Sequence, residues 1–121
     1  MTAVRVGLVG TSWWAEAMYL PALASHPRGR ITAICGRDGD KGRRVASEWN
    51  IAQVHPDAES MFPHVDAVIV ASSNASHHAI ALAALERGLH VLCEKPLGLD
   101  GRQADELAAA AARTGAITLT P

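Results

Sequence analysis

The sequence predicts an α/β fold of the Rossmann type: a doubly wound, six-stranded parallel sheet in the order 3-2-1-4-5-6, forming one domain over residues 1–121. Three observations predict it. Short β-branched apolar runs alternate with longer helix-patterned stretches, which demands crossover connections and therefore parallel strands. Apolar residues make up 49 % of the chain and aromatics only 4 %, a mixture suited to buried strands under helices rather than to a sandwich. Capping residues and glycines fall at the junctions between runs. A flavodoxin-like strand order is the alternative, because strand count alone does not fix order.

Val4-Arg5-Val6-Gly7-Leu8-Val9 reads as a buried first strand closed by Gly10. Thr11-Ser12 can cap a helix opening with Trp13-Trp14-Ala15-Glu16, where Glu16 lies near the positive end of the dipole. Pro21 interrupts that helix, and a second restarts near Leu20 or Pro21. Two adjacent Trp side chains cannot share a helix face, so one of the pair is expected to pack inward and the other to meet the crevice. A turn at His26–Gly29 leads to a second strand, Ile31–Cys35, and Asp38 caps a helix from about Gly39 to Trp49. A short third strand at Ala52–His55 precedes a brief helix from Asp57 through Met61, and Asp66–Ala71 is the fourth strand. The next helix starts near Ala75 or Ser76, carries Ile80, Ala81, Ala84 and Leu85 on one face, and stops at Gly88. Leu89–Cys93 is the fifth strand. Asp100-Gly101-Arg102-Gln103 resembles a capping box opening an Ala-rich helix that ends at Gly115, before a sixth strand at Ala116–Thr120.

Composition excludes several classes of function. The net charge is −1 and no Lys/Arg cluster forms a basic face, so nucleic acid is not an expected partner. No apolar run is long enough to span a bilayer and no signal pattern opens the chain, so a cytoplasmic protein without membrane association is expected. Cys35 and Cys93 end apolar runs and read as small buried hydrophobes rather than a disulfide or redox pair. No metal is expected, since adjacent His77 and His78 point in different directions and no carboxylate pairs with them at ligand spacing.

The loop Gly10-Thr11-Ser12-Trp13-Trp14-Ala15 stands between a strand and a helix, where a G-x-G-x-x-[GA] phosphate fingerprint belongs. Gly10 permits the tight turn and Ala15 close helix–strand packing. Ser12 replaces the middle glycine, trading room for a hydroxyl donor. A tight βα turn serving another ligand is the plain reading of the same residues. At the end of the second strand, NAD-preferring folds place an acidic residue on the ribose hydroxyls. Here Gly36 stands there, followed by Arg37 and Asp38. Arg37 can meet a 2′-phosphate bidentately, with Lys41 one helical turn onward, which favours NADP over NAD. Asp38 could still reach a ribose.

Strands four and five carry the more specific signal. Ser72-Ser73-Asn74-Ala75-Ser76-His77 follows Val68-Ile69-Val70-Ala71, and Glu94-Lys95-Pro96-Leu97 follows His90-Val91-Leu92-Cys93. Together with the phosphate loop and Leu20-Pro21-Ala22-Leu23, these segments resemble the N-terminal NAD(P)-binding domain of the Gfo/Idh/MocA oxidoreductases. The resemblance runs over essentially the whole chain.

That resemblance implies roles for the matched positions. Ser72, Ser73 and Asn74 would line the nicotinamide-side ribose, and His77 would help shape the same crevice. Glu94 would bond ribose hydroxyls, and Lys95 would sit beside nicotinamide and substrate as the catalytic group, with Pro96 following a cis bond. Ser72-Ser73 and Ser12 depart from the family's usual Thr-Pro and Gly. A C-terminal domain holding the sugar- or polyol-like substrate is also implied, as is a homo-oligomeric full-length parent. Residues 1–121 leave no room for that domain, so the chain is expected to be inactive alone. A stand-alone nucleotide-binding or sensing module is the alternative, and a scaffold that has lost its cofactor is a third.

Overall fold

The computed structural model describes residues 2–121. Its strands are β1 (Val4–Val9), β2 (Gly29–Cys35), β3 (Gln53–His55), β4 (Ala67–Val70), β5 (His90–Cys93) and β6 (Thr118–Leu119). All neighbours pair in parallel, in the order β3-β2-β1-β4-β5-β6. That order excludes the flavodoxin-like alternative. It also makes β1 and β4 the place where the winding reverses, so a crevice opens beyond their carboxyl ends.

The helices are α1 (Leu20–Ala24), α2 (Gly39–Trp49), α3 (Ala58–Met61), α4 (His77–Glu86) and α5 (Gly101–Thr114). They cover both sheet faces because successive strand residues point to opposite sides. Leu8, Ile34 and Ile69 pack with Leu20 of α1 and Val45 of α2 on one face. Their neighbours Val9, Ala33, Cys35, Val68 and Val70 pack with Met61, Ala81, Leu85 and Leu107 on the other. Two buried faces explain why these strands read as continuous apolar runs rather than alternating ones. Side chains such as Leu8 and Ile34, both 0 % exposed, each contribute about 1.5–3 kcal/mol by leaving water.

Local chemistry sets the helix ends. The Asp38 carboxylate accepts from the Lys41 amide at 3.1 Å, and Asn50 closes α2 in the left-handed region at φ 56°. Asp57 and Asp100 cap α3 and α5 through the amides of Ser60 and Gln103, at 2.8 and 2.9 Å. The Gln103 side chain accepts from the Leu99 amide instead of the Asp100 amide, so the expected reciprocal box reaches back one residue further. α4 begins at His77, after a 3-10 turn over Asn74–Ser76. No helix is long and apolar enough to cross a membrane, among the described residues.

Two departures from expectation concern the first crossover. Ala15–Tyr19 is a π-helix running directly into α1. Pro21 has no N–H to continue an α ladder, and the Leu20 amide reaches back to the Ala15 carbonyl, widening the turn before the proline. Neither Trp13 nor Trp14 packs into the core: they are 72 % and 40 % exposed. Their rings meet edge to face, 5.6 Å apart, and the wide turn leaves both on the surface.

Candidate functional site

The crevice is built first by Gly10. Its φ is +116°, and a Cβ there would lie 2.5 Å from the Ala71 carbonyl oxygen. Only glycine lets the ends of β1 and β4 pass this closely. The Gly10 amide donates to the Cys35 carbonyl at 2.8 Å, which ties the loop to the end of β2 as well. Ser12 Oγ then accepts from the Ala15 amide at 3.3 Å, leaving its proton free to donate outward. Ala15 is fully buried, as close helix–strand packing requires.

A cavity of about 860 Å³ opens beyond these strand ends, within the range of small-molecule and cofactor sites. Of the expected binding residues, Gly10, Thr11, Ser12, Gly36, Arg37, Asp38, Lys41, Ser72 and Ser73 line it. Its apolar wall includes Phe62 and Ile80; Ile80 was expected on the apolar face of α4, and neither residue was expected at the site. Among the described residues, neither Arg37 nor Lys41 enters a salt bridge. One Asp38 oxygen is already engaged as the cap of α2. Cys35 lies buried at the cavity's base, and burial pushes its thiol up to about 12.

Trp13, Trp14, Asn74, His77, Glu94 and Lys95 do not line that cavity. Four of them belong to a second cluster across β4 and β5. Glu94 is 9 % exposed. Its Oε2 accepts from Trp14 Nε1 at 2.8 Å and from the Tyr19 hydroxyl, while Oε1 accepts from the Lys95 amide at 3.3 Å. Burial opposes the charge, but these donors prevail and hold the Glu94 carboxyl below its ordinary range. Burial and the same contact push the Tyr19 phenol well up.

His77 is 1 % exposed. Its Nδ1 stands 2.8 Å from the Pro96 carbonyl oxygen and its Nε2 2.9 Å from that of Ser72. Carbonyl oxygens only accept, and a neutral imidazole has one N–H to give. The ring stands between the loops that follow β4 and β5, and each ring nitrogen that carries a proton donates to the carbonyl it faces. The Lys95–Pro96 bond is cis, and Lys95 itself is exposed. Ser72 and Ser76 hydroxyls lie 2.6 Å apart, while Ser73 and Asn74 are exposed at the start of the next turn.

Tyr19 is the functional neighbour that sequence reasoning missed. Trp14 and Tyr19 lie five positions apart, a spacing that one α-helical face does not bring together but the π turn does. Pro21 was the only signal of that turn.

With strand-end crevice, phosphate loop and Glu94-Lys95-Pro96 turn in place, the family can be assigned. The family described as "Oxidoreductase family, NAD-binding Rossmann fold" matches residues 4–120. The chain belongs to the Gfo/Idh/MocA oxidoreductase family. It is 30 % identical over 118 residues to the scyllo-inositol 2-dehydrogenase (NADP(+)) IolU of Bacillus subtilis, covering 96 % of this chain and 36 % of that enzyme. With inositol 2-dehydrogenase 1 of Saccharopolyspora erythraea it shares 42 % identity over 97 residues, 78 % of this chain and 29 % of the other. KijD10, a 3-ketoreductase from Actinomadura kijaniata solved in complex with NADP, matches with a TM-score of 0.91 at 33 % identity, over 98 % of this chain and 38 % of that one. The Gfo/Idh/MocA chain described here thus spans about a third of the length of these relatives.

Proposed function

We propose that residues 1–121 are the cofactor domain of an NADP(H)-preferring oxidoreductase acting on a sugar- or polyol-like substrate in the cytoplasm. The observation that carries the preference is the corner at the end of β2. Gly36 brings no carboxylate to the cavity there, and Arg37 and Lys41 line it without ion-pair partners among the described residues. The names of IolU and of the KijD10 complex, both of which specify NADP, support the same reading.

The cavity fits such a ligand in volume and in its bare glycine turn. When bound, the nicotinamide ring would supply the hydride acceptor or donor. This chain's residues would do the rest. The Gly10–Ser12 loop holds pyrophosphate at the helix start, and Arg37 with Lys41 grips the 2′-phosphate. Ser72 and Ser73 line the cavity, and Asn74, exposed on the turn that follows, would meet the far ribose with them. Lys95, exposed on the turn after β5, would hold developing negative charge as its ammonium, and would take up the substrate hydroxyl proton where the bound substrate and a further domain desolvate it. His77 and the Trp14–Tyr19–Glu94 cluster fix the backbone from which Lys95 projects. A chain covering about a third of its relatives leaves substrate selection, and the oligomer contacts of the full-length parent, to a further domain. This unit alone binds cofactor without turnover.

Calorimetric titration with NADPH and NADH tests the reading. NADPH is expected to bind more tightly, and Arg37→Ala to weaken NADPH about tenfold or more while leaving NADH little changed. Tighter binding of NADH by the unaltered chain overturns it.

A further inference from the structure

Gly36 leaves the end of β2 without a side chain, and its surroundings show what keeps it so. A Cβ placed on Gly36 would lie 2.9 Å from Thr11 Cγ2, 3.0 Å from Thr11 Oγ1 and 3.5 Å from Thr11 Cβ, the three nearest atoms. The first is well short of the 3.5–4.0 Å at which carbon atoms pack best, and the second is a tight carbon–oxygen contact. The backbone raises no objection of its own, because the positive-φ glycines are Gly10, Gly88 and Gly115 and not Gly36. Position 36 is bare because of a side chain on the phosphate loop.

Thr11 cannot easily step aside. It is β-branched, with few χ1 choices, and rotation by one step still leaves one γ atom facing the new Cβ. Its backbone follows Gly10, whose amide is bonded to Cys35 at 2.8 Å.

We propose that Thr11 is a specificity-determining residue whose γ atoms keep position 36 free of a side chain. Position 36 then brings no carboxylate to the ribose corner, the nearby Asp38 carboxylate is held as the cap of α2, and a 2′-phosphate can meet Arg37 and Lys41. This rests on the cofactor reading given above. A carboxylate at this strand end binds ribose hydroxyls and repels a 2′-phosphate. In this chain an Asp at 36 would start within the packing distance of Thr11 and push the phosphate loop outward. Positions 11 and 36 are therefore coupled, and a switch toward NAD needs both to change. Thr11→Ala keeps only the Cβ at 3.5 Å, an ordinary contact. Thr11→Val removes the hydroxyl but keeps both γ atoms, so it separates bulk from hydrogen bonding.

The test titrates NADPH and NADH against the unaltered chain, Gly36→Asp, Thr11→Ala/Gly36→Asp and Thr11→Val/Gly36→Asp, and records the melting midpoint of each apo protein. Gly36→Asp alone is expected to lose NADPH affinity without gaining NADH, and to melt lower by about 5 °C or more. Adding Thr11→Ala restores the midpoint and tightens NADH about tenfold or more relative to Gly36→Asp, whereas adding Thr11→Val does neither. If Gly36→Asp does not fold, Gly36→Ala makes the same first contact and must melt lower than Thr11→Ala/Gly36→Ala. A gain in NADH binding by Gly36→Asp alone as large as that of the double variant overturns the proposal, with the original NADPH preference still standing. An unaltered chain that prefers NADH, or binds neither cofactor, instead overturns the cofactor reading and this inference with it.

Discussion

The two halves of the crevice treat their polar groups in opposite ways. On the side of β1 and β2, Arg37 and Lys41 reach the cavity without salt-bridge partners among the described residues, and Asp38 is engaged through one oxygen to a local amide. On the side of β4 and β5, Glu94 already accepts three hydrogen bonds, and His77 already meets two carbonyls. The first half leaves Arg37 and Lys41 without salt-bridge partners among the described residues. The second has spent its buried polar groups on holding two loops together, so its geometry is set before any ligand arrives. Removing an exposed charge from the first half should therefore change binding with little effect on folding, whereas removing a buried polar group from the second should change folding itself.

Gly10 belongs to both halves and should give the largest effect. A Cβ there combines a left-handed φ of 116° with a 2.5 Å contact to the Ala71 carbonyl oxygen, and neither can relax without parting β1 from β4. Gly10→Val is expected to cost about 3 kcal/mol or more in urea unfolding and to abolish cofactor binding. A fully stable Gly10→Val protein would show that the two strand ends do not depend on this turn.

His77 separates the halves most directly. His77→Leu keeps an apolar volume but removes the imidazole N–H from between the Ser72 and Pro96 carbonyls, at a cost of about 2–3 kcal/mol. Arg37 is exposed and forms no salt bridge among the described residues, so Arg37→Ala should stay within about 0.5 kcal/mol of the unaltered chain. Equal losses of stability in the two variants would erase the contrast.

How much of this was legible beforehand follows the same divide. The first half is made by neighbours in sequence. Asp38 capping Lys41, Ser12 capping Ala15 and glycine at position 36 can all be read from a few adjacent residues, whereas alternating elements imply a parallel sheet but leave its order open between the Rossmann and flavodoxin-like forms. Glu94-Lys95-Pro96 was legible only as part of a family resemblance. What its carboxylate touches was not, because Trp14 and Tyr19 lie 80 and 75 residues away on a π turn that no period of 3.6 announces. The expectation that one Trp would pack inward failed for that reason. Thr11 and Gly36 were each noticed, yet their contact crosses from one loop to another, and only the folded chain brings them together.

Tyr19→Phe probes the second half with the smallest change and adds a dependence on pH. It removes one donor to Glu94 Oε2 while Trp14 and the Lys95 amide remain. The expected loss is about 1 kcal/mol at neutral pH. The sign of the pH effect follows from the lowered Glu94 carboxyl. Because the folded value lies below the unfolded one, Glu94 contributes fully above the ordinary carboxyl range, near about 4, and this contribution fades as pH falls through the lowered value. Tyr19 strengthens the ionised form, so without it the folded value rises toward the ordinary one. Urea midpoints followed from neutral to acid pH should then show the gap between the two proteins closing as Glu94 takes up its proton. A gap that stays constant down the acid limb would mean that Tyr19 stabilises the crevice by packing alone, and that the carboxylate is held by Trp14 and the turn.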